Sequence, residues 1–211
     1  MKENYYSQIG QDRFIDEFYN KKENGIFLDI GAHDGVSGSN SYFLEKIRNW
    51  KGICVEPQLE IFEKLKENRS CININCAVSN YNGETDFTYL DGYSNMLSGI
   101  TEDYNQSHIQ RINHEVYNYG GSIKTYKVNV RSLQDILDEY NTYDIDFCSI
   151  DTEGTEFKII QSIDFKKTNI KIFIIENNYN DTQIKDYLEN NEYVFYKKLE
   201  WDDVFIKKDI L

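Results

Sequence analysis

Short apolar runs alternate with amphipathic stretches along this chain, and this alternation constrains the fold more than any other feature. The runs at 26–30, 52–56, 145–150 and 170–176 are almost continuously apolar, which is typical of parallel strands covered by helices on both faces. The other strand candidates are 71–78, 193–198 and 202–208, and the helix candidates are 39–49, 58–67, 131–140, 154–164 and 181–190. We therefore predict an α/β fold with a doubly wound, mostly parallel sheet and an antiparallel pair at its edge.

The acidic balance of the chain argues against two classes of partner. The formal net charge of the 211 residues is −13, whereas binding to nucleic acid or to an anionic membrane needs clustered Lys and Arg. No run approaches the roughly 18 apolar residues of a membrane span, and the first residues lack the apolar stretch of a signal peptide. The four cysteines include no Cys-x-x-Cys pair. We expect a cytoplasmic protein with reduced cysteines and neither of those partners.

The organisation of the chain predicts one domain over residues 1–211. A single proline, Pro57, and evenly spread glycines mark no linker, and there is no internal repeat. The segment 91–121 interrupts the regular alternation and contains two of the three histidines. Since insertions near the carboxyl ends of strands often carry function, we expect this segment to contribute the substrate side of the site.

Polar residues follow four of the predicted strands at the point where each strand ends. The clusters are DIGAHDG (29–35), VEP (55–57), DTEG (151–154) and ENN (176–178). Any one of them is explicable as a helix cap. Because ligands of doubly wound sheets bind beyond the carboxyl ends of the strands, the four together favour a binding site.

The spacing of the glycines after the first strand limits the classes of ligand that the site is expected to bind. Gly31, Gly35 and Gly38 do not form the G-x-G-x-x-G pattern of a dinucleotide site, because His33 stands where the second glycine belongs. Glu56, at the end of the second strand, is placed to accept hydrogen bonds from both hydroxyls of a ribose. A ribose without a neighbouring pyrophosphate, held near acidic groups, points to S-adenosylmethionine, whose sulfonium and ammonium are cationic.

Seven stretches in order resemble the FkbM-type family of S-adenosylmethionine-dependent methyltransferases. They are YSQIGQDRFIDEFY, GIFLDIGAHDGVSGSNSYFLE, WKGICVEP, CAVSN, LSGI, SLQDIL and IDTEGTEFKII. The resemblance runs from about residue 5 to the last strands. It implies the class I methyltransferase fold, a Rossmann-like, seven-stranded sheet with one antiparallel strand near the edge, and a helical lid from residues 1–24.

The resemblance also implies roles for individual residues. The methionine part of the cofactor would lie against Asp29, Gly31 and Ala32, and Asp29 or Asp34 would meet its ammonium. The ribose would be held by Glu56. The remaining cofactor contacts implied are Pro57, Ala77 and Val78 beside the adenine, Asn40 and Ser41 near the carboxylate, Gln11 in the lid, and Asp151 beside the methyl group.

Methyl transfer to a hydroxyl gains from a general base, for which we expect Asp151 first and then His33 or His108. Other interpretations remain open: His33 as a surface turn residue, Asn40 and Ser41 as helix caps, and His108 on a solvated helix face. Asp151 and Glu153 offer too few oxygens for a hard cation at one strand end, and Glu176, which could supply another, is explicable as a strand-end cap, so no metal is expected.

We therefore predict an O-methyltransferase that acts on a hydroxyl of a sugar, glycan precursor or secondary metabolite. The acceptor class follows from the resemblance alone. One alternative is an NAD-linked oxidoreductase or epimerase, against which the glycine spacing and the lack of a Tyr-x-x-x-Lys pair argue. The other is a non-catalytic module that binds the cofactor. The acceptor's identity and the oligomeric state are not encoded in any pattern of the chain.

Overall fold

A seven-stranded sheet forms the centre of the protein in a computed structural model that describes residues 3–211. Its strands, which we call the main sheet, are β1 (Ile26–Ile30), β2 (Lys51–Val55), β3 (Ile72–Ile74), β8 (Asp144–Ile150), β9 (Asn169–Glu176), β10 (Tyr193–Leu199) and β11 (Asp202–Lys207). The strand order is β10-β11-β9-β8-β1-β2-β3. β11 runs antiparallel to both neighbours, and the other pairs are parallel. The predicted fold class is confirmed, including the single antiparallel strand near the edge.

Helices of the predicted crossovers pack on the main sheet, and most of them are shorter than the sequence suggested. They are α1 (Gln11–Phe18), α2 (Tyr42–Arg48), α3 (Leu59–Asn68), α5 (Leu133–Glu139), α6 (Glu156–Gln161) and α7 (Thr182–Asn190); α4 (Gln106–Tyr119) lies within the segment 91–121. Two apolar clusters, one on each face of the main sheet, bury strand residues such as Leu28 and Phe27. This arrangement explains why the central strands are apolar on both faces.

A second, four-stranded sheet was not predicted. Its strands are β4 (Ala77–Ser79), β5 (Gly83–Leu90), β6 (Gly99–Ile100) and β7 (Ile123–Ser132), in the order β4-β7-β5-β6. The strand predicted at 71–78 is therefore wrong as a single element, because it divides into β3 of the main sheet and β4 of the second sheet. The side-chain amide of Asn75 donates to the carbonyls of Glu56 and Pro57, at 2.8 and 3.0 Å, and fixes the break.

The close approach of two strand ends explains the glycine that follows β1. Gly31 has φ +87°, and a Cβ at this position would lie 1.8 Å from the backbone oxygen of Asp151. Its N–H and that of Ala32 both donate to the carbonyl of Val55. The ends of β1, β2 and β8 are thereby held together at one edge.

Within residues 3–211, no helix has both the length and the apolar character needed to cross a bilayer.

Candidate active site

A cavity of about 300 Å³ opens at the carboxyl ends of the central strands. The main sheet contributes the polar residues that follow β1, β2, β8 and β9, whereas the second sheet contributes apolar side chains, among them Val78, Phe87 and Ile100. The second sheet therefore forms one wall of the cavity. A site of this size with an apolar wall and a few convergent polar groups suits a small organic ligand.

Glu56 lies at the floor of the cavity and is 4% exposed. One carboxylate oxygen accepts from the backbone N–H of Gln58 at 2.8 Å, and the other accepts from that of His33 at 3.0 Å. Burial raises the pKa of Glu56 to about 7, against the effect of these two amides. Because each oxygen of a carboxylate has a second lone pair, the group is held in place and can still accept two hydroxyls.

Asp29, the penultimate residue of β1, belongs to a buried network of hydrogen bonds and an ion pair. Its carboxylate accepts from the hydroxyl of Ser41, which in turn accepts from the guanidinium of Arg69 at 2.9 Å. Arg69 also forms an ion pair with Glu45 at the start of α2. Burial raises the pKa of Asp29, and the positive charge of Arg69 opposes that rise. The network fixes Asp29 at the cavity surface.

The loop after β1 contains two further polar residues, Asp34 and His33, of which His33 lines the cavity and Asp34 does not. Asp34 accepts from the backbone N–H groups of Val36 and Ser37, at 2.9 and 2.7 Å, and so stabilises the turn. The imidazole of His33 lies at the cavity surface, with Nε2 3.4 Å from the amide nitrogen of Asn95. Burial lowers the pKa of His33, so its ring is neutral at pH 7.

Three carboxylates meet at the ends of β8 and β9. Asp151 directly follows β8, Glu153 lies two residues further on, and Glu176 is the last residue of β9. One oxygen of each lies within 4.8 Å of the other two. Burial, together with repulsion from Asp202 and Glu156, raises the pKa of Asp151 to about 7. Burial and mutual repulsion also raise the pKa values of Glu153 and Glu176.

Glu156 holds the loop that carries this cluster. Its carboxylate accepts from the N–H and the hydroxyl of Thr152, at 3.0 and 2.9 Å, and from the N–H of Gly154. Glu153, between them, has φ +59°, a left-handed conformation that costs about 1 kcal/mol or more for a residue with a side chain. The DTEGTE stretch is therefore a constrained turn that presents carboxylates to the cavity.

His108 is buried behind Glu153 and does not line the cavity. Its Nε2 lies 3.1 Å from the carbonyl of Leu97, and its Nδ1 lies 3.1 Å from the hydroxyl of Tyr179. Burial lowers the pKa of the imidazole. Both ring nitrogens are thus engaged by the protein. His108 is therefore not on a solvated helix face; of the residues spaced three apart along α4, Arg111 lines the cavity and His114 is exposed.

Most of the residues singled out from the sequence come together around this cavity. The lining includes Asp29, Gly31, Ala32, His33, Asn40, Glu56, Pro57, Ala77, Val78 and Asp151. The other candidates lie outside it: Gln11, Asp34, Ser41 and His108. Gln11 is bound to Asp202 at 2.8 Å, and Ser41 supports Asp29 from behind.

Sequence reasoning missed several lining residues. Gln8 lines the cavity where Gln11 was expected, and its amide contacts the sulfur of Met96 at 3.5 Å. This contact joins the N-terminal segment to the segment 91–121 over the cavity. The glycine at position 38 is the sequence feature related to Gln8. A Cβ on residue 38 would lie 2.8 Å from the Gln8 Cγ, so the glycine leaves room for this side chain. Phe87 and Ile100 were missed with the second sheet.

One known structure, that of a methyltransferase FkbM, agrees with the observed fold. The methyltransferase FkbM from Methylobacillus flagellatus KT superposes with a TM-score of 0.51 at 14% identity; the match covers 87% of this chain and 43% of that one. The precorrin-6y C5,15-methyltransferase from Geobacter metallireducens GS-15 has a TM-score of 0.47 at 11% identity, and the match covers 93% of this chain and 88% of that one. The N-terminal domain of human METTL16 has a TM-score of 0.48 at 11% identity, and the match covers 93% of this chain and 67% of that one.

This chain spans less than half the length of the Methylobacillus protein. No curated protein matches the chain. The family model described as the methyltransferase FkbM domain matches residues 29–195, which include the loop after β1, Glu56 and the DTEGTE turn. The chain therefore belongs to the methyltransferase FkbM domain family.

Proposed function

We propose that this protein transfers a methyl group from S-adenosylmethionine to a hydroxyl oxygen of a sugar, glycan precursor or secondary metabolite. The cofactor is the one that family membership implies. The observation that carries the proposal is the arrangement of Glu56 and Asp151 on one cavity: a fixed carboxylate at the end of β2 and a second carboxylate across β1, at the end of β8.

The residues present fit this cofactor. Glu56 retains lone pairs for the two ribose hydroxyls, and the apolar wall that includes Val78 and Phe87 suits an adenine ring. The Oδ1 atom of Asn40 is buried, accepts no hydrogen bond and belongs to a lining residue. Together with the carboxylate of Asp29, it offers acceptors for an ammonium group.

The protein's contribution is alignment, exclusion of water and removal of a proton. When bound, the cofactor supplies an electrophilic methyl group on a sulfonium. Residues of the two sheets would hold the nucleoside end, and the contact between the lining residues Gln8 and Met96 would restrict access of water to it. A hydroxyl beside Asp151 gives up its proton to this carboxylate as the oxygen attacks in line. His33, whose neutral ring faces the same cavity, is the second candidate base.

A small-molecule or glycan acceptor is supported by the shape and charge of the surroundings. Trp201 lines the cavity and offers an aromatic face against which a sugar ring can pack. The net charge of −13 disfavours nucleic acid and an anionic membrane as partners.

Methyl transfer is tested by incubating the protein with isotopically labelled S-adenosylmethionine and a panel of sugars and glycans, followed by mass spectrometry. We expect label in a methyl ether of one acceptor class and formation of S-adenosylhomocysteine. Labelling at nitrogen or carbon instead would overturn the proposed hydroxyl acceptor. Calorimetric titration with NAD provides the control, because binding of NAD without binding of S-adenosylhomocysteine would indicate an oxidoreductase.

A further inference from the structure

The three carboxylates at the ends of β8 and β9 have the spacing of cation ligands. Parallel pairing of Ile150 with Ile175 places Asp151 beside Glu176, and the turn after β8 brings Glu153 to the same point. One oxygen of each lies within 4.8 Å of the others. Oxygens on opposite sides of a bound cation are about 4 Å apart for Mg²⁺ and about 5 Å apart for Ca²⁺. The cluster therefore matches a hard divalent cation without rearrangement of the strands.

Glu153, a member of the cluster that lines the cavity, carries a buried oxygen that accepts no hydrogen bond. Glu153 is 8% exposed, and its Oε2 accepts no hydrogen bond. The nearest nitrogen is Nδ1 of His108, at 3.3 Å. The carbonyl of Leu97 can only accept, so the hydrogen of the neutral imidazole lies on Nε2, and Nδ1 faces the Tyr179 hydroxyl with its lone pair. His108 therefore leaves Oε2 without a donor.

Arg111 supplies positive charge near the cluster and acts to lower the pKa of Glu153, but its guanidinium forms no hydrogen bond to the three carboxylates. Arg111 is the basic residue that lines the cavity, and its Nε donates to Glu115 at 3.0 Å. On the neighbouring elements, Lys158 is paired with Asp103, and Lys198 lies 3.4 Å from Asp203. Within residues 3–211, no ammonium or guanidinium group makes a hydrogen bond to the three carboxylates. Carboxylates this close together take up protons, in line with their raised pKa values, unless a cation compensates their charge.

We propose that Asp151, Glu153 and Glu176 bind one divalent cation of the Mg²⁺ or Ca²⁺ class at the end of the cavity across β1 from Glu56. Asn178 supports this site, since its amide donates to one oxygen of Glu176 and orients the carboxylate. The fold brings Glu176 at the end of β9 close to Asp151 and Glu153, which follow β8.

The cation's role rests on the proposed function. An acceptor hydroxyl bound to the cation is more acidic than a free one and is held against the methyl donor. Its proton passes to the carboxylate oxygen of Asp151 that does not face the cation. The hydroxyl oxygen then forms a bond to the methyl carbon as the carbon–sulfur bond breaks, and neutral S-adenosylhomocysteine leaves.

Mn²⁺ is the probe for this site, because the electron paramagnetic resonance signal of the free ion is lost on binding. We expect one Mn²⁺ per chain, displaced by Mg²⁺ or Ca²⁺. The isosteric variants Glu153→Gln and Glu176→Gln should each weaken binding at least about tenfold. Glu189→Gln, which changes an exposed carboxylate on α7, is the matched control and should bind Mn²⁺ as the wild type does.

Titration with S-adenosylhomocysteine distinguishes failure of the cation site from failure of the proposed function. A wild-type protein that binds S-adenosylhomocysteine but no Mn²⁺ would overturn the cation site and leave methyl transfer standing. Equal Mn²⁺ affinity in wild type and both cluster variants would also overturn it. Specific Mn²⁺ binding without binding of S-adenosylhomocysteine would support the cation site and contradict the proposed function.

Discussion

Glu56 and Asp151 are two carboxylates of one cavity whose surroundings suit different roles, cofactor binding for Glu56 and proton acceptance for Asp151. Glu56 is buried and Asp151 is partly exposed in the cavity, and desolvation raises the pKa of each to about 7. Glu56 is fixed by two backbone amides, whereas Asp151 is faced by further carboxylates. A carboxylate held by amides suits binding. A carboxylate destabilised by like charges suits accepting a proton.

Replacing Asp151 with Asn should therefore lower turnover far more than cofactor affinity. The amide keeps the shape of the side chain but cannot serve as a base, so we expect kcat to fall at least about a hundredfold. The affinity for S-adenosylhomocysteine should change less than about threefold. Turnover of labelled methyl groups and calorimetry provide the two readouts.

Asp144→Asn is the control for this prediction, because Asp144 begins the same strand and is exposed at its opposite end. It should leave both quantities unchanged. A variant Asp151→Asn that loses cofactor affinity but keeps its turnover at saturation would make Asp151 a binding residue rather than the base.

Individual residues were predictable where a short motif fixes a position at a strand end. Asp29 is the penultimate residue of β1, and Glu56 and Asp151 directly follow β2 and β8, so the topology rule alone brings them together. Asp34 and His108 were not predictable in this way. Whether Asp34 points to the cavity or caps its own turn depends on loop geometry, and the burial of His108 depends on how α4 packs.

At the scale of elements, the end of β1 is shaped by contact between backbones rather than by the ligand alone. A Cβ on Gly31 would collide with the backbone oxygen of Asp151, which cannot move without displacing β8. The glycine thus serves the packing of two strand ends as well as the cavity surface.

Gly31→Ala should destabilise the protein by more than Gly10→Ala does. Both residues have φ near +88°, but a Cβ on Gly10 has nothing within 4 Å. The left-handed backbone costs both variants about 1 kcal/mol, and only Gly31→Ala adds a collision. Chemical denaturation should give a loss at least about 2 kcal/mol larger for Gly31→Ala. Equal losses would show that the two strand ends separate easily.

The ion pair between α2 and the loop after α3 predicts a dependence of stability on pH. Burial alone would raise the pKa of Glu45, but Arg69, Lys46 and the backbone of Ser70 lower it to about 2. The ordinary value is 4.5, so the stabilisation is complete above about pH 5 and is lost as the pH falls towards 2.

Glu45→Gln should accordingly reduce the free energy of unfolding by roughly 2–3 kcal/mol at pH 7 and by much less near pH 2. Glu63→Gln provides the control, because its partner Lys66 is exposed and the change should stay within about 0.5 kcal/mol. Urea titrations at several pH values measure both. A difference that is the same at every pH would exclude the ionised Glu45 as its source.

At the scale of the whole molecule, the sequence predicted the main sheet and missed the second one. Strands buried on both faces appear as apolar runs, which is the strongest signal that a strand gives. The second sheet lacks that signal, since β7 (IKTYKVNVRS) is exposed over its first half and β5 (GETDFTYL) carries three polar residues near its start. Its existence depends on pairing between strands about 40 residues apart, which no local pattern contains.

The central proposal for this protein is that the nucleoside of S-adenosylmethionine lies against Glu56, between the two sheets. Calorimetric titration of S-adenosylhomocysteine into the wild type, Glu56→Ala and the exposed control Glu60→Ala tests this most directly. We expect one site per chain, an affinity weakened by roughly 1–3 kcal/mol in Glu56→Ala, and no change in Glu60→Ala. Absence of binding to the wild type, or an affinity that Glu56→Ala leaves unchanged, would contradict the account.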